Sequence, residues 1–472
     1  MLKKTDPQAI KPYLRDASNF AKGQASEVIV PENREELIGF LKKNSQPITP
    51  AGAGTGLTAS RIPLSGIVIS MERFKRLGQV DGGTLCVGSA VTLKEIQTHL
   101  QSSGWFYPPN PTEALASIGG TLATNASGAR SYKFGTTRDF ILEAEIVLAD
   151  GRFTTVKRGR TVDQPLELED GSTIQFPSVR FTSPSCKNAA GYYVQPGMDW
   201  LDLFIGSDGT LCLFTECRLK LLPSPADFLS GVLFFDNEEA SWDLLEKLRD
   251  SKNVEISPCA LEYFDERSLH RLKKEFSNIP DRAQAALYFE QEVNRREDYD
   301  PLLEAWFMFL EGEQTLLEDS WFAQSPKDIE RFHEFRHQLP LLINEENSRM
   351  GRVKMGTDMA VSDASFLPMM RFYRDQLTAS GMDFVMFGHI GDNHLHINLL
   401  PESHQMERAR TTYGVLVDQI LKWGGTISAE HGVGKLKKEY FKKMVGETAL
   451  EELKMIKKTL DPEGLLGRGN LF

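Results

Sequence analysis

Ile118-Gly119-Gly120-Thr121-Leu122-Ala123-Thr124-Asn125-Ala126-Ser127-Gly128-Ala129-Arg130, followed by Tyr132-Lys133-Phe134-Gly135, is the stretch that decides the fold. Small residues dominate it, and Thr124, Asn125 and Ser127 are compact hydrogen-bonding groups. A wall this poor in side chains can lie against a flat ring and bring backbone N–H groups close to phosphate oxygens. One such loop is weak evidence, because a simple turn explains it as well.

Two further loops of this kind flank it. Upstream, Pro50-Ala51-Gly52-Ala53-Gly54-Thr55-Gly56-Leu57-Thr58 follows an apolar stretch. It is not the Rossmann fingerprint, since counting from Gly52 puts Leu57 where the third glycine belongs, and it lacks the Gly-Lys-Ser/Thr of a P-loop. Downstream, Leu203-Phe204-Ile205-Gly206-Ser207-Asp208-Gly209-Thr210-Leu211 is followed by Phe214-Thr215-Glu216. Three such loops in the segment 26–223 point to a large phosphate-bearing cofactor wrapped by backbone.

Around the loops the chain alternates short β-rich runs with helices. Strands are predicted at 26–30, 67–71 and 143–148, and helices at 33–43, with Asn33 as N-cap, and 93–102. Residues 1–25 read as a helical lead-in. Leu222-Pro223-Ser224-Pro225 marks a domain boundary. Beyond it, strands at 228–235 and 286–293 are separated by helices at 238–249 and 326–339. Sparse strands between long helices suggest an α+β domain on an antiparallel sheet, spanning 224–415. From about Gln405 the pattern is helix, short strand, loop, two helices and the tail Asp461-Pro462-Glu463-Gly464-Leu465-Leu466-Gly467.

The second half holds the other informative feature. Four of the nine histidines fall in Gly388-His389-Ile390-Gly391-Asp392-Asn393-His394-Leu395-His396-Ile397-Asn398 and Ala429-Glu430-His431-Gly432. Residues 383–387 read as a strand, 388–393 as a tight loop and 394–400 as the returning strand. Period-two alternation sets His394, His396 and Asn398 on one face and Leu395, Ile397 and Leu399 on the core face. His389 then converges with His396 across the hairpin, and Glu430 adds a carboxylate from a separate loop. Two imidazoles and a carboxylate suit Zn²⁺ or Mn²⁺ and leave coordination positions open. His431 remains to move a proton.

The bulk numbers narrow the field. A length of 472 residues suggests two or three domains. The net charge of -11 argues against non-specific nucleic-acid binding. Cys86, Cys186, Cys212, Cys217 and Cys259 are odd in number and scattered, which argues against a disulfide framework or an iron–sulfur module. Residues 1–6 lack an apolar core, so no signal peptide is expected, and no apolar run nears the ~18 residues of a membrane span. The cytoplasm is the expected location, with peripheral membrane contact left open.

Together, P-x-G-x-G-T-G-L, I-G-G-x-x-A-T-N-A-S-G, I-G-S-D-G-T-L, G-H-I-G-D-N-x-L-H and E-H-G closely resemble the FAD-dependent 2-hydroxyacid dehydrogenases. That family includes D-lactate dehydrogenase, the glycolate oxidase flavin subunit and D-2-hydroxyglutarate dehydrogenase. It belongs to the vanillyl-alcohol oxidase / p-cresol methylhydroxylase (PCMH) superfamily. The resemblance runs, in the family's order, from about residue 20 to the C-terminus, and the joint motif set is specific where no single piece is.

The resemblance implies a two-part PCMH-type FAD-binding domain at 26–223, a substrate (cap) domain at 224–415, and a helical segment at 416–472 that returns to the FAD domain. It implies that the loop Pro50 to Thr58 holds the FAD pyrophosphate. Gly119, Gly120, Thr124, Asn125 and Gly128 pass along the flavin and ribityl chain, and Gly206, Ser207, Gly209 and Glu216 form the third contact. The only histidine of 1–223 is His99, outside these motifs, and no cysteine lies in the first two loops, so FAD is expected to be non-covalent. The family positions for the metal match His389, His396 and Glu430, and the proton-abstracting base matches His431. Arg336 matches an arginine for the substrate carboxylate, and Asn398 a substrate contact. Lys354 is a further substrate-binding candidate, although its spacing does not reproduce the lysine of the hydroxyglutarate enzymes.

The implied reaction is oxidation of a D-2-hydroxy acid, with electrons passing to an acceptor other than NAD. Two other readings compete. A metal-dependent hydrolase would leave the glycine loops unexplained, and a flavin subunit without catalysis of its own would leave the metal and base residues unexplained. Neither the acid nor the acceptor is named by the chain. Dimerisation is common in the relatives and not readable here. The sequence departs from the family where Asn393 and His394 replace Gly and Asn, where Cys212 replaces Gly, and where the tail reads Gly467-Arg468-Gly469-Asn470. The role of His394 is left open.

Overall fold

The computed structural model describes residues 1–250 and 255–472. The first half carries two sheets. A four-stranded sheet has the order Leu2–Lys4, Glu27–Val30, Ile67–Ser70, Ile48–Ala51, antiparallel in its first pair and parallel in the rest. Its two central strands are mostly apolar because both faces are covered. Leu37 and Leu41 of the helix Arg34–Leu41 pack on one face and Ile10 and Tyr13 on the other. Asn33 caps that helix by accepting from the Glu36 N–H. The second sheet, fully antiparallel, runs Leu77–Asp81, Thr84–Gly88, Leu213–Lys220, Ile141–Val147, Phe153–Lys157. The helix Leu93–Leu100 turns Leu93, Ile96 and Leu100 toward this core behind a Thr92–Glu95 capping box.

The second half is built on one eight-stranded antiparallel sheet. Its order is Trp321–Phe322, Asp227–Phe235, Ala285–Val293, Ala260–Asp265, Phe384–Gly388, His394–Leu399, Met355–Gly356, and Met359–Ala360 also pairs with His394–Leu399. Alternation divides its side chains cleanly. Met386, Leu395, Ile397 and Leu399 join the large core on one face. Val385, Phe264 and Tyr288 meet Phe332, Phe335, Leu339 and Ile343 of the helix Pro326–Met350 on the other. The fold is thus α+β, with two sheets in its first half and a second half built on an antiparallel sheet flanked by helices.

Several elements differ from the sequence reading. The chain opens as a strand, Leu2–Lys4, before the short helix Pro7–Ile10, because Leu2 to Lys4 pair with the edge at Val28 to Val30. The helix expected to end at Leu339 continues through Pro340 to Met350, because Ile343 and Asn347 keep its buried face occupied. The short strand expected after the helix Met406–Lys422 is only a bridge between Thr426 and Ala360. The final helical stretch, Lys438–Leu460, breaks at Gly446, and the tail then returns to the first sheet, where Ile48 exchanges backbone bonds with Leu465 and Gly467. Among the described residues, no helix is long and apolar enough to cross a membrane.

Candidate active site

A single cleft brings the two halves together. Its walls include every residue from Pro50 to Thr58, and Gly119, Gly120, Thr124, Ser127, Gly128 and Gly209, but also His389, Glu430 and His431. The glycine loops and the histidine cluster therefore share one space. The remaining expected cofactor residues do not line it. Asn125 is the left-handed C-cap of the helix Ile118–Thr124 (φ 50°), and its Oδ1 accepts the Arg138 N–H at 2.9 Å. Gly206 donates its N–H to Leu122 O at 2.8 Å, and Ser207 is fully buried. Glu216 sits on the strand Leu213–Lys220, paired with Arg76 at 2.9 Å. Asn125, Gly206 and Glu216 thus make contacts between loops and strands, while the buried Ser207 hydroxyl has no partner among the described residues.

Close backbone approach explains one glycine directly. A Cβ at Gly128 would meet the Asn110 carbonyl oxygen at 2.3 Å, so backbone would have to move. Gly128→Val is expected to cost about 1–3 kcal/mol or more and to displace the cleft wall. The purified variant should show a lower thermal midpoint and reduced flavin absorbance per chain; full flavin content would contradict this placement.

The hairpin forms as its alternation implies. Asn393 turns the chain in left-handed conformation (φ 53°), a backbone that Asn tolerates. His396 lies opposite Phe387, and the His389 and His396 rings are 5.6 Å apart. Glu430 Oε2 is 3.4 Å from His389 Nε2, and Oε1 is 3.4 Å from His396 Nε2. The outward nitrogens of both histidines are engaged. His389 Nδ1 is 2.7 Å from Glu262 Oε1, and His396 Nδ1 is 3.4 Å from Thr357 O. His394 is fully buried, and its Nδ1 lies 4.0 Å from Glu430 Oε2. Donor atoms of His389, His394, His396 and Glu430 all fall within 4.8 Å of one another.

Charge is balanced tightly here. Burial works against the Glu430 carboxylate, but His389 and the buried Lys187 hold it well below the usual range. Lys187 Nζ is 3.4 Å from Glu430 and 3.1 Å from Asp392. Burial also works against a charged His389, but Glu262 outweighs it and lifts the pKa to about 9; Glu262 itself is held at about 2. His394 is pushed down to about 3 by burial and is neutral. Ser127 Oγ donates to Glu430 Oε2 at 3.1 Å, tying the second glycine loop to the cluster.

His431 is held by a residue that the sequence reading did not single out. Asp358 Oδ2 lies 3.0 Å from His431 Nδ1 and accepts the His431 backbone N–H at 3.1 Å. The same carboxylate accepts the Ala429 and Glu430 N–H groups at 3.2 and 3.3 Å, the Ser428 hydroxyl at 2.7 Å and Lys437 Nζ at 2.6 Å. Its burial is outweighed by His431 and Lys437, so it stays ionised far below the usual carboxylate range. With Nδ1–H given to Asp358, His431 Nε2 is the free acceptor, 3.5 Å from Glu430 Oε1. Asp208, also unexpected, accepts from Ser60 Oγ and from the Gly434 N–H and so binds the first loop to the segment after His431. Asn470 of the tail bridges Ser60 O and Asp208 O at 3.0 and 2.9 Å.

The substrate candidates are placed unequally. Asn398 is buried on the same sheet face as His396. Arg336 is buried on the long helix, its Nε 3.5 Å from Glu262 Oε1, and so joins the cluster through the partner of His389. Lys354 is exposed just ahead of Met355–Gly356 and is not brought into the cluster. A lone carboxylate inside an apolar run was the signal available for Glu262, in Ala260-Leu261-Glu262-Tyr263-Phe264, and for Asp358 before Met359-Ala360-Val361. Buried carboxylates are seldom unpaired, so each implies a partner.

Residues 25–157 match an FAD binding domain, and residues 224–471 match the C-terminal domain of FAD linked oxidases. The chain is 26% identical over 476 residues to the glycolate oxidase subunit GlcD of Bacillus subtilis, covering 98% of this chain and 92% of that one. It is 28% identical to a D-lactate dehydrogenase of Archaeoglobus fulgidus, covering 97% and 92%. It is 24% identical to a D-2-hydroxyglutarate dehydrogenase of Stutzerimonas stutzeri, covering 99% and 95%. In fold it is similar to p-cresol methylhydroxylase with substrate bound (TM-score 0.71, 13% identity, 99% and 93% covered). Alkyldihydroxyacetonephosphate synthase is similar as well (TM-score 0.69, 17% identity, 98% and 81% covered). The second-half match spans just over half of the chain and the first half carries an FAD-binding domain, so the protein belongs to the FAD-linked oxidases and is a flavin-dependent oxidoreductase.

Proposed function

We propose that the protein oxidises a D-2-hydroxy acid to the 2-oxo acid, using non-covalent FAD and a divalent metal, and passes the electrons to an acceptor other than NAD. One observation carries this reading. In the cleft lined by the glycine loops, His431 presents a free Nε2 beside a carboxylate and two imidazoles, with its Nδ1 held by Asp358. The relatives named for glycolate, D-lactate and D-2-hydroxyglutarate support the substrate class.

The donor set fits a divalent metal. His389 and His396 each have one nitrogen occupied by an outer oxygen and the other turned toward Glu430, the usual arrangement for metal-ligating histidines. Separations of 3.4 Å are close to the edge of a tetrahedron with metal–ligand bonds of about 2.0–2.1 Å. Non-covalent FAD is supported by the cleft wall. His99 is exposed on its helix away from the cleft, and burial pushes the thiol of Cys212, which does line it, far above its ordinary value.

Oxidation removes a proton from the hydroxyl and a hydride from the α-carbon. When bound, FAD supplies the hydride acceptor and the metal supplies the Lewis acidity that favours the alkoxide. His431 takes the hydroxyl proton at Nε2, and Asp358 stabilises the resulting imidazolium through Nδ1–H. Arg336, from the long helix, and Asn398, from the sheet face of His396, orient the acid's carboxylate. A hydrolase would leave the glycine loops unused, and a non-catalytic subunit would leave the Asp358–His431 pair unused.

Metal removal tests the reading. Protein dialysed against a strong chelator should keep its yellow colour and lose turnover of 2-hydroxy acids with a dye acceptor, and added Zn²⁺ or Mn²⁺ should restore it. Unchanged turnover after complete metal removal would contradict it. Arg336→Met should raise KM for the acid about 10- to 100-fold, the loss of a charge-assisted bond worth about 1.5–3 kcal/mol. If Arg336 serves only Glu262, KM stays unchanged.

A further inference from the structure

His394 has no part in the mechanism above. It is 0% exposed, and its Nδ1 has no hydrogen-bond partner among the described residues. Its Nε2 lies 2.9 Å from Asp358 Oδ1, so the unsatisfied atom is Nδ1. Leaving a buried polar group unsatisfied is costly, so this imidazole is positioned for something it can bind. Its ring centroid is 5.3 Å from that of His389 and 4.6 Å from that of His396. The hairpin enforces this placement. The left-handed turn at Asn393 lets the His394 N–H donate to His389 O at 3.2 Å, and alternation puts His394 on the face of His396.

We infer that His394 is a fourth protein ligand, through Nδ1, for the divalent cation of this site, which would then be held by three histidines and Glu430. The inference rests on the metal reading proposed above. All three imidazoles share one arrangement, with the outer nitrogen at an oxygen and the inner nitrogen facing Glu430. The oxygens are Glu262 Oε1 for His389, Asp358 Oδ1 for His394 and Thr357 O for His396. An outer oxygen of this kind selects the tautomer whose inner nitrogen is bare. Four protein ligands would complete a tetrahedral set, so a 2-hydroxy acid would reach the cation only by expanding its coordination beyond four. A nitrogen-rich set also favours Zn²⁺, Co²⁺ or Ni²⁺ over Mg²⁺ or Ca²⁺.

Cobalt is the probe for the test. Full-length, FAD-loaded protein is stripped of metal, titrated with Co²⁺ and examined by X-ray absorption, which counts imidazoles around the metal. Three imidazoles per Co²⁺ are expected in the wild type. His394→Asn should retain two, shift the visible Co²⁺ bands and weaken Co²⁺ by about 100-fold in competition with a chelator. Two imidazoles in the wild type, or a variant with wild-type affinity and bands, would overturn the role of His394 alone. A wild type that takes up no Co²⁺ would overturn the metal reading with it. Should His394→Asn fail to fold, the wild-type count still decides.

Discussion

Replacing His431 by asparagine is expected to slow reduction of the bound flavin by about 10²- to 10⁴-fold, the usual contribution of a positioned base. Asparagine can keep the contact to Asp358 through its amide but has no nitrogen able to accept a proton. The backbone of residue 431 stays anchored by Asp358, so the loop and Glu430 should keep their places. Flavin content and metal content should therefore be unchanged, and the loss should fall on the rate of reduction with little change in substrate affinity. A variant that reduces its flavin at the wild-type rate would remove His431 from the chemistry.

Asp358→Asn should damage both stability and turnover. One buried carboxylate there receives three consecutive backbone N–H groups, Ser428, Lys437 and the Nδ1 of His431. Asparagine offers one acceptor oxygen and leaves Lys437, whose side chain is 14% exposed, without its counter-charge. Breaking a buried pair in this way costs about 3–5 kcal/mol. The same change frees the tautomer of His431, and wrong-tautomer losses at an Asp–His pair reach about 10⁴-fold. Thermal midpoint and single-turnover reduction measured together check the claim. A drop in stability with normal turnover would show that Asp358 serves only the loop.

The legible part of the site was the part written locally. His389, His394, His396 and Asn398 follow strand alternation on either side of a tight turn, and alternation alone predicts which side chains share a face. Glu430 and His431 are adjacent in the chain. Asp358, Glu262 and Lys187 reach the cluster from the link between two short strands, from across the sheet and from the first half of the chain, and no local period encodes such pairings. The glycine loops were readable as a group, but not residue by residue. Asn125 and Gly206 bond across to neighbouring segments, while the buried Ser207 hydroxyl has no partner among the described residues, distinctions that composition does not encode. The extension of the long helix through Pro340 was hidden for a similar reason, since tertiary packing by Ile343 overrides a local helix breaker.

Anaerobic mixing of the purified protein with matched D- and L-2-hydroxy acids, followed through the flavin absorbance, tests the central claim most directly. A D-acid should bleach the flavin in one phase, more slowly when its α-hydrogen is deuterium, and the L-enantiomer should leave the protein yellow. A flavin- and metal-loaded protein that no 2-hydroxy acid bleaches would contradict the assignment.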